Sequence, residues 1–205
     1  MTDHVAIDVG AFRAVAIAAS SEETRYYLRG VSLQVIGGKG RIAATDGHRL
    51  MVHTFETDYD GEIDIIVPIE AIKKCFTGWP RAVAMVMIEG SGRDWKIGDV
   101  AFTPVDGTFP DWTRVMPSLD DGSFGTLAHF NHAYIGDLAK MQKLIGEPAK
   151  INHCGTSPSL ITFGNRDDIL GLLMPMRETH HRTSTDLRLL IDSVCKMPAR
   201  TANAA

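Results

Sequence analysis

Residues 25–53 read RYYLRGVSLQVIGGKGRIAATDGHRLMVH, and the fold is decided by how this stretch is divided. Three apolar, β-prone runs, 28–36, 40–44 and 50–55, are separated by Gly-Gly-Lys and by Asp46-Gly47-His48. Short runs of this kind bounded by Gly and Asp predict strands joined by tight turns. The second turn sits within ATDGHRL, residues 44–50, which places an acid, a glycine, an imidazole and a guanidinium side by side. Asp-Gly is a hairpin signal, because glycine supplies the positive φ that such turns need. A hydrolytic pair of Asp46 and His48 is the catalytic alternative. Two residues that close on one turn do not readily form the acid–base arm of a triad, and no G-x-S-x-G accompanies them. A docking surface for a partner is the third reading, and the residues alone leave it open.

Working outward, 7–12, 67–72 and 129–134 each read as a short strand running into a helix. Ala11, Ala71 and Ala133 recur at a spacing of about sixty residues. Helices are expected at roughly 10–19, 69–76 and 131–145. Strands are expected after the first at 28–36, 40–44 and 50–55. After the second they fall at 82–88, 94–97 and 100–104, and after the third at 149–153, 159–163 and 169–174. Each repeat is therefore strand, helix, then three strands, which makes the chain α+β. Pro68 suits a helix start, and Gly146 with Pro148 stops the third helix. Residues 118–123, SLDDGS, form a polar connector. The segment 184–194 has an N-cap residue and apolar residues at helical spacing, so a short helix is expected in the tail.

The 205 residues, 44% hydrophobic and 22% charged, have an ordinary globular composition. No apolar run approaches a membrane span, and the N-terminus does not read as a signal peptide. Cys75, Cys154 and Cys195 are odd in number and far apart, the pattern of reduced thiols in a cytoplasm. The eight histidines include no H-E-x-x-H, and His180-His181 is an adjacent pair in a polar tail, so no metal site and no cofactor is expected. A net charge of −4 argues against a protein that wraps nucleic acid with its whole surface, though not against a local basic face.

The stretch 25–53 resembles the central domain of the bacterial DNA polymerase III beta subunit, the sliding clamp. DGTFPDWTRVMP, residues 106–117, resembles the end of that domain, and LLMPMR, residues 172–177, resembles the family's final residues. The three motifs stand in the family's order, and the resemblance covers roughly residues 5–177. It implies the DNA-clamp fold and a non-catalytic accessory subunit of a DNA polymerase. It also implies that the D-G-H-R-L turn walls a shallow pocket for short hydrophobic peptides of polymerases, the clamp loader and repair proteins. Carried over by motif, that wall is Leu28, Thr45, Gly47, His48, Arg49 and Leu50, with Pro110, Arg114 and Val115. Leu172, Met174, Pro175, Met176 and Arg177 complete it, and Asn131 and Tyr134 lie near the rim. Methionines suit a surface that accepts several related peptides.

Clamps of this family hold double-stranded DNA inside a ring lined by helices, with sequence-independent, salt-sensitive contacts. The three repeat helices here offer Arg13, then Lys73 and Lys74, then Lys140 and Lys143, which are three apart and hence on one helix face. The family's usual protomer has three domains of two repeats each, whereas three repeats are legible here. Residues 1–117 are read as one clamp domain, 118–128 as a connector, 129–177 as half a domain and 178–205 as an added tail. An unpaired half domain needs a cover. A second copy of the third repeat, giving a dimer or a ring of four chains, is one candidate, and the tail helix is the other. Two functions follow from the resemblance. One is a compact sliding clamp that tethers a polymerase to DNA. The other is a clamp mimic without a ring, which keeps the peptide pocket and competes with a host clamp.

Overall fold

The computed structural model describes residues 3–79, 83–117, 125 and 127–177. The expected tail helix, Cys195, His180, His181 and most of the connector lie outside these residues. In chain order the elements are β1 (Asp3–Asp8), α1 (Val9–Ala16), β2 (Gly30–Ile36), β3 (Lys39–Thr45), β4 (Arg49–Glu56) and β5 (Glu62–Pro68). They continue with α2 (Ile69–Phe76), β6 (Met85–Ser91), β7 (Asp94–Ile97), β8 (Val100–Phe102), α3 (His132–Ile145), β9 (Ala149–Asn152), β10 (Ser159–Phe163) and β11 (Arg166–Leu173). The α+β expectation holds.

Local chemistry sets the helix starts. The Asp8 carboxylate accepts the Ala11 amide at 2.7 Å, and the Asn131 side chain accepts the Ala133 amide at 2.9 Å. α1 ends three residues before the expected position 19. There the amides of Ile17, Ala18 and Ala19 turn to carbonyls three residues back, tightening the last turn. β2 starts at Gly30 rather than at 28, because Glu23–Leu28 forms a 3₁₀ turn.

The strands make two antiparallel sheets, ordered β1-β6-β7-β8 and β5-β2-β3-β4-β11-β10-β9. The lead strand of each of the first two repeats crosses into the other's sheet. β1 pairs with β6 and β5 pairs with β2, with Val5 opposite Ile88 and Leu33 opposite Ile65. The third repeat differs. Residues 129–131, expected to lead into α3 as a strand, are irregular backbone. A strand needs an edge to pair with, and the first two lead strands find theirs in the other's sheet.

β4 pairs with β11, His53 opposite Ile169 and Leu50 opposite Leu172, so the first and third repeats share one sheet. Alternate residues of β4 face opposite sides of it. Met51 enters the main core with Phe12, Ile42, Met141, Ile161 and Phe163, which are sealed between sheets and helices. Leu50 and Val52 point the other way and join Ala43 and Leu172 in a second cluster, covered by Phe109 and Trp112. Gly171 makes the join possible, since a Cβ there would lie 2.5 Å from the Met51 sulfur and 3.0 Å from the Leu50 carbonyl oxygen.

His53 lies on this seam, 3% exposed, stacked on Phe55, with its Nδ1–H donating to the Asp168 carbonyl at 3.1 Å. Burial pushes its pKa below 6.5, and it outweighs the Asp168 carboxylate, which acts in the other direction. The folded protein therefore holds His53 neutral while the unfolded chain protonates near pH 6.5. Its contribution to stability is present above that pH and is lost as the pH falls through the folded pKa. Thermal unfolding followed from pH 7.5 to 5 is expected to fall more steeply in the wild type than in His53→Gln; parallel curves would contradict this.

Candidate functional site

The turn at 46–48 is built from its own side chains. Asp46 Oδ1 accepts the amides of His48 and Arg49 at 2.9 and 3.1 Å. Thr45 Oγ1 accepts the Gly47 amide at 3.0 Å and donates to the Arg49 carbonyl at 2.6 Å. Gly47 has φ 91°, the left-handed region that favours glycine. Asp46 is thus committed to the turn and to Arg49. The His48 ring lies against Tyr134, centroids 6.4 Å apart and planes 26° apart. This arrangement does not make an Asp–His catalytic pair.

Arg49 is the fastener of the region. Its Nε donates to Asp46 Oδ2 at 3.0 Å, its Nη1 to Asp137 Oδ2 at 2.5 Å and its Nη2 to the Ile17 carbonyl at 2.8 Å. Its guanidinium carbon sits 4.7 Å from the Tyr134 ring centre. The side chains of Arg49, Asp46 and Asp137 are only 12%, 15% and 20% exposed. Burial opposes the charge of Asp137, but hydrogen bonds from Lys140 and Arg49 outweigh it and hold the carboxyl below its usual range. Arg49 therefore ties the β3–β4 turn to α3 and to the end of α1.

The other wall residues of the expected peptide site are distributed as follows. Leu50 and Leu172 are buried cross-strand partners. The Met174 amide donates to the His48 carbonyl, and the Met176 amide donates to the His129 carbonyl, so 174–176 runs from the turn towards Asn131 at the start of α3. Pro110, Arg114 and Val115 are exposed on the loop whose Phe109 and Trp112 cover the Leu50–Leu172 cluster. Leu28 is buried at the end of the 3₁₀ turn that brings Arg25 against Gly47. Pro175 is half-buried and Arg177 exposed. Val115, Met174 and Met176 leave apolar surface in solvent, Met176 at 56%. The space enclosed beneath, between Arg49, Leu50, Tyr134 and Leu172, is about 10 Å³. The surface is thus an apolar shelf over a closed crevice.

On the helical side, α1, α2 and α3 border an open groove of about 1310 Å³. Arg13, Lys73, Lys140 and Lys143 all line it, one or two from each helix. Lys74 does not, because successive helical residues point about 100° apart. Arg166, at the start of β11, lines the groove as well. It was not legible as a groove residue, since it lies in a turn-like GNRDD stretch away from any helix. Asp8 is the one acidic residue among those lining the groove. Phe76 and Trp79 form its apolar floor, with the Arg13 guanidinium 5.7 Å from the Phe76 ring centre. Among the described residues no group of three metal-ligating side chains occurs, and no helix is long and apolar enough to cross a membrane.

Residues 9–111 match the family model described as DNA polymerase III beta subunit, central domain. The beta sliding clamp of Pseudomonas aeruginosa is 35% identical over 113 residues, 52% of this chain and 30% of that protein. The beta sliding clamp of Caulobacter vibrioides is 31% identical over 152 residues, 65% of this chain and 41% of that protein. The chain thus spans well under half the length of these relatives. Among solved structures, the DNA polymerase III beta subunit of Thermotoga maritima aligns with a TM-score of 0.69 at 18% identity. That alignment covers 86% of this chain and 66% of the other. A sliding clamp of Bartonella birtlesii, solved bound to griselimycin, aligns with a TM-score of 0.67 at 24% identity, covering 85% and 66%. At these identities the likeness shows the clamp fold.

Proposed function

The chain belongs to the DNA polymerase III beta-subunit family, and from that premise we propose that it is a non-catalytic, sliding-clamp-like processivity factor of DNA replication. It encircles double-stranded DNA without sequence preference and works in the cytoplasm with no cofactor. Polymerase or clamp-loader peptides dock on the shelf formed by His48, Val115, Met174 and Met176. The observation that carries the reading is the groove that three repeat helices line with Arg13, Lys73, Lys140 and Lys143, joined by Arg166; Lys140 also pairs with Asp137 and Arg166 with Asp168. Cations on one continuous face, in a chain of net charge −4, suit a polyanion held by its backbone.

In this reading residues 1–117 form one clamp domain, its two repeats locked by exchanged lead strands. Residues 129–177 form half of another, 118–128 join the two, and 178–205 are an addition. Self-association completes the half domain. β9 stands where β2 and β6 stand in their repeats, yet among the described residues no strand pairs with its outer edge. A second copy of the third repeat, related by a two-fold axis, covers that edge.

The test compares retention of the purified protein on circular DNA and on the same DNA after linearisation, with molar mass measured by light scattering at several concentrations. Retention on the circle, loss on the linear form and a mass of two or four protomers are expected. A monomer at every concentration that escapes both DNAs, yet binds polymerase peptides, would replace this reading with that of a competitor of a host clamp.

A further inference from the structure

The shelf and the groove share no lining residue, yet one side chain contacts both Arg49 and Lys140. Asp137 Oδ2 accepts from Arg49 Nη1 at 2.5 Å, and Asp137 Oδ1 accepts from Lys140 Nζ at 2.6 Å. Arg49 stands behind the peptide shelf, and Lys140 lines the basic groove. We propose that Asp137 links the two sites, so that a polyanion in the groove draws Lys140 away, leaves the carboxylate to Arg49 and thereby tightens peptide binding on the shelf. The inference rests on the functional reading above and names a regulation of its peptide site.

The two cations hold the carboxylate unequally. Lys140 is 70% exposed, on a flexible stem, three residues along the helix from Asp137. An exposed pair of this kind is weak, so a phosphate in the groove displaces it readily. Arg49, its side chain only 12% exposed, is triply bonded, so it stays. Once Lys140 leaves, the full charge of Asp137 falls on Arg49.

The path onward is short. The Arg49 guanidinium lies on Tyr134, Tyr134 lies on His48, and the His48 carbonyl holds the Met174 amide. A more firmly held Arg49 fixes the Tyr134–His48–Met174 wall before the peptide arrives, which lowers the ordering that binding must impose. The device has two discrete states, Lys140 on Asp137 or Lys140 on phosphate, and both sites bias the same equilibrium. Because the exposed pair is weak, the coupling is small, about two- to threefold in affinity. It is also reciprocal, so a bound peptide raises DNA affinity by the same factor.

The experiment titrates the full-length protein into a short fluorescein-labelled peptide whose apolar residues are leucine and phenylalanine, at low salt, with and without a saturating short DNA duplex. Wild type is expected to bind the peptide about two- to threefold more tightly with the duplex present. Lys140→Gln is expected to bind as the duplex-bound wild type does, and to be indifferent to the duplex. Lys143→Gln, which removes a groove cation but leaves Asp137 paired, keeps the response. With both peptide and duplex bound, a response shared equally by wild type and Lys140→Gln, or absent from wild type, overturns the proposal.

A second readout, the Arg49 Nε–Hε resonance, separates this proposal from the reading beneath it. If wild type binds no peptide, the docking reading fails, and the link is judged on whether the duplex moves that resonance in wild type but not in Lys140→Gln. If the duplex does not bind, the groove reading fails, and the link is judged on whether Lys140→Gln alone moves it. An unmoved resonance overturns the link in either case.

Discussion

Arg49→Ala is expected to lower stability by about 3 kcal/mol, because it leaves two largely buried carboxylates, Asp46 and Asp137, without their shared cation. The same change orphans the Ile17 carbonyl and removes the cation from the Tyr134 face. For a chain of this size the loss amounts to a fall in melting temperature of roughly 6–12 °C. Arg49→Lys recovers only part of it, since an ammonium is a point charge and cannot address three acceptors in a planar fork. Thermal unfolding followed by circular dichroism reads the effect. A double-mutant cycle with Asp137→Ala is expected to give a coupling above about 1 kcal/mol. A fall of less than about 2 °C for Arg49→Ala would mean that the guanidinium is not the fastener its bonds indicate.

Converting Arg13, Lys73, Lys140 and Lys143 together to glutamine is expected to weaken binding to duplex DNA on the order of a hundredfold at moderate salt. Each phosphate contact contributes about 0.9 to the slope of log affinity against log salt, so the slope should flatten by as much as ~3.6. Lys73, Lys140 and Lys143 are exposed and Arg13 only half-buried, so the fold should survive the change. Fluorescence anisotropy over a salt series makes the measurement, and Lys74→Gln is the internal comparison. Lys74 is exposed but does not line the groove, so its loss should leave the slope nearly unchanged. Equal effects of Lys73→Gln and Lys74→Gln would show that net charge, rather than the groove, attracts the DNA.

What could be read from the sequence and what could not divide along a physical line. α2, β7 and β10 fall where apolar periodicity, Pro68 and the flanking turns put them, because those signals act within a few residues. The Asp46-Gly47 turn was legible for the same reason. The exchange of lead strands between the first two repeats was not, since Val5 meets Ile88 through pairing across the sheet that no local pattern encodes. The same holds at the candidate site. The identities of His48, Leu50, Leu172 and Met174 could be carried over by motif. That Leu50 faces Leu172, and that Met174 hangs from the His48 carbonyl, follows from the pairing of β4 with β11. Arg49 was named by motif as part of the pocket wall. Its anchorage depends on Asp137 and the Ile17 carbonyl, both contributed by other helices. Arg166 lines the groove and Lys74 does not, for a related reason. Groove membership depends on helix rotation for one and on the β10–β11 turn for the other, and residue type settles neither.

The join between β4 and β11 has a further consequence during synthesis. His53 and Asp168 meet although they are 115 positions apart in the chain. At about 5–20 residues per second, roughly 6–23 seconds pass between the appearance of one and of the other. Throughout that interval β4 is an open strand edge carrying Leu50, Met51 and Val52, the kind of surface on which nascent chains pair wrongly. Because this contact is so remote in sequence, its closure is expected to be the slow step of maturation. Among the described residues β11 is the last strand to emerge, and its arrival closes the open edge of β4.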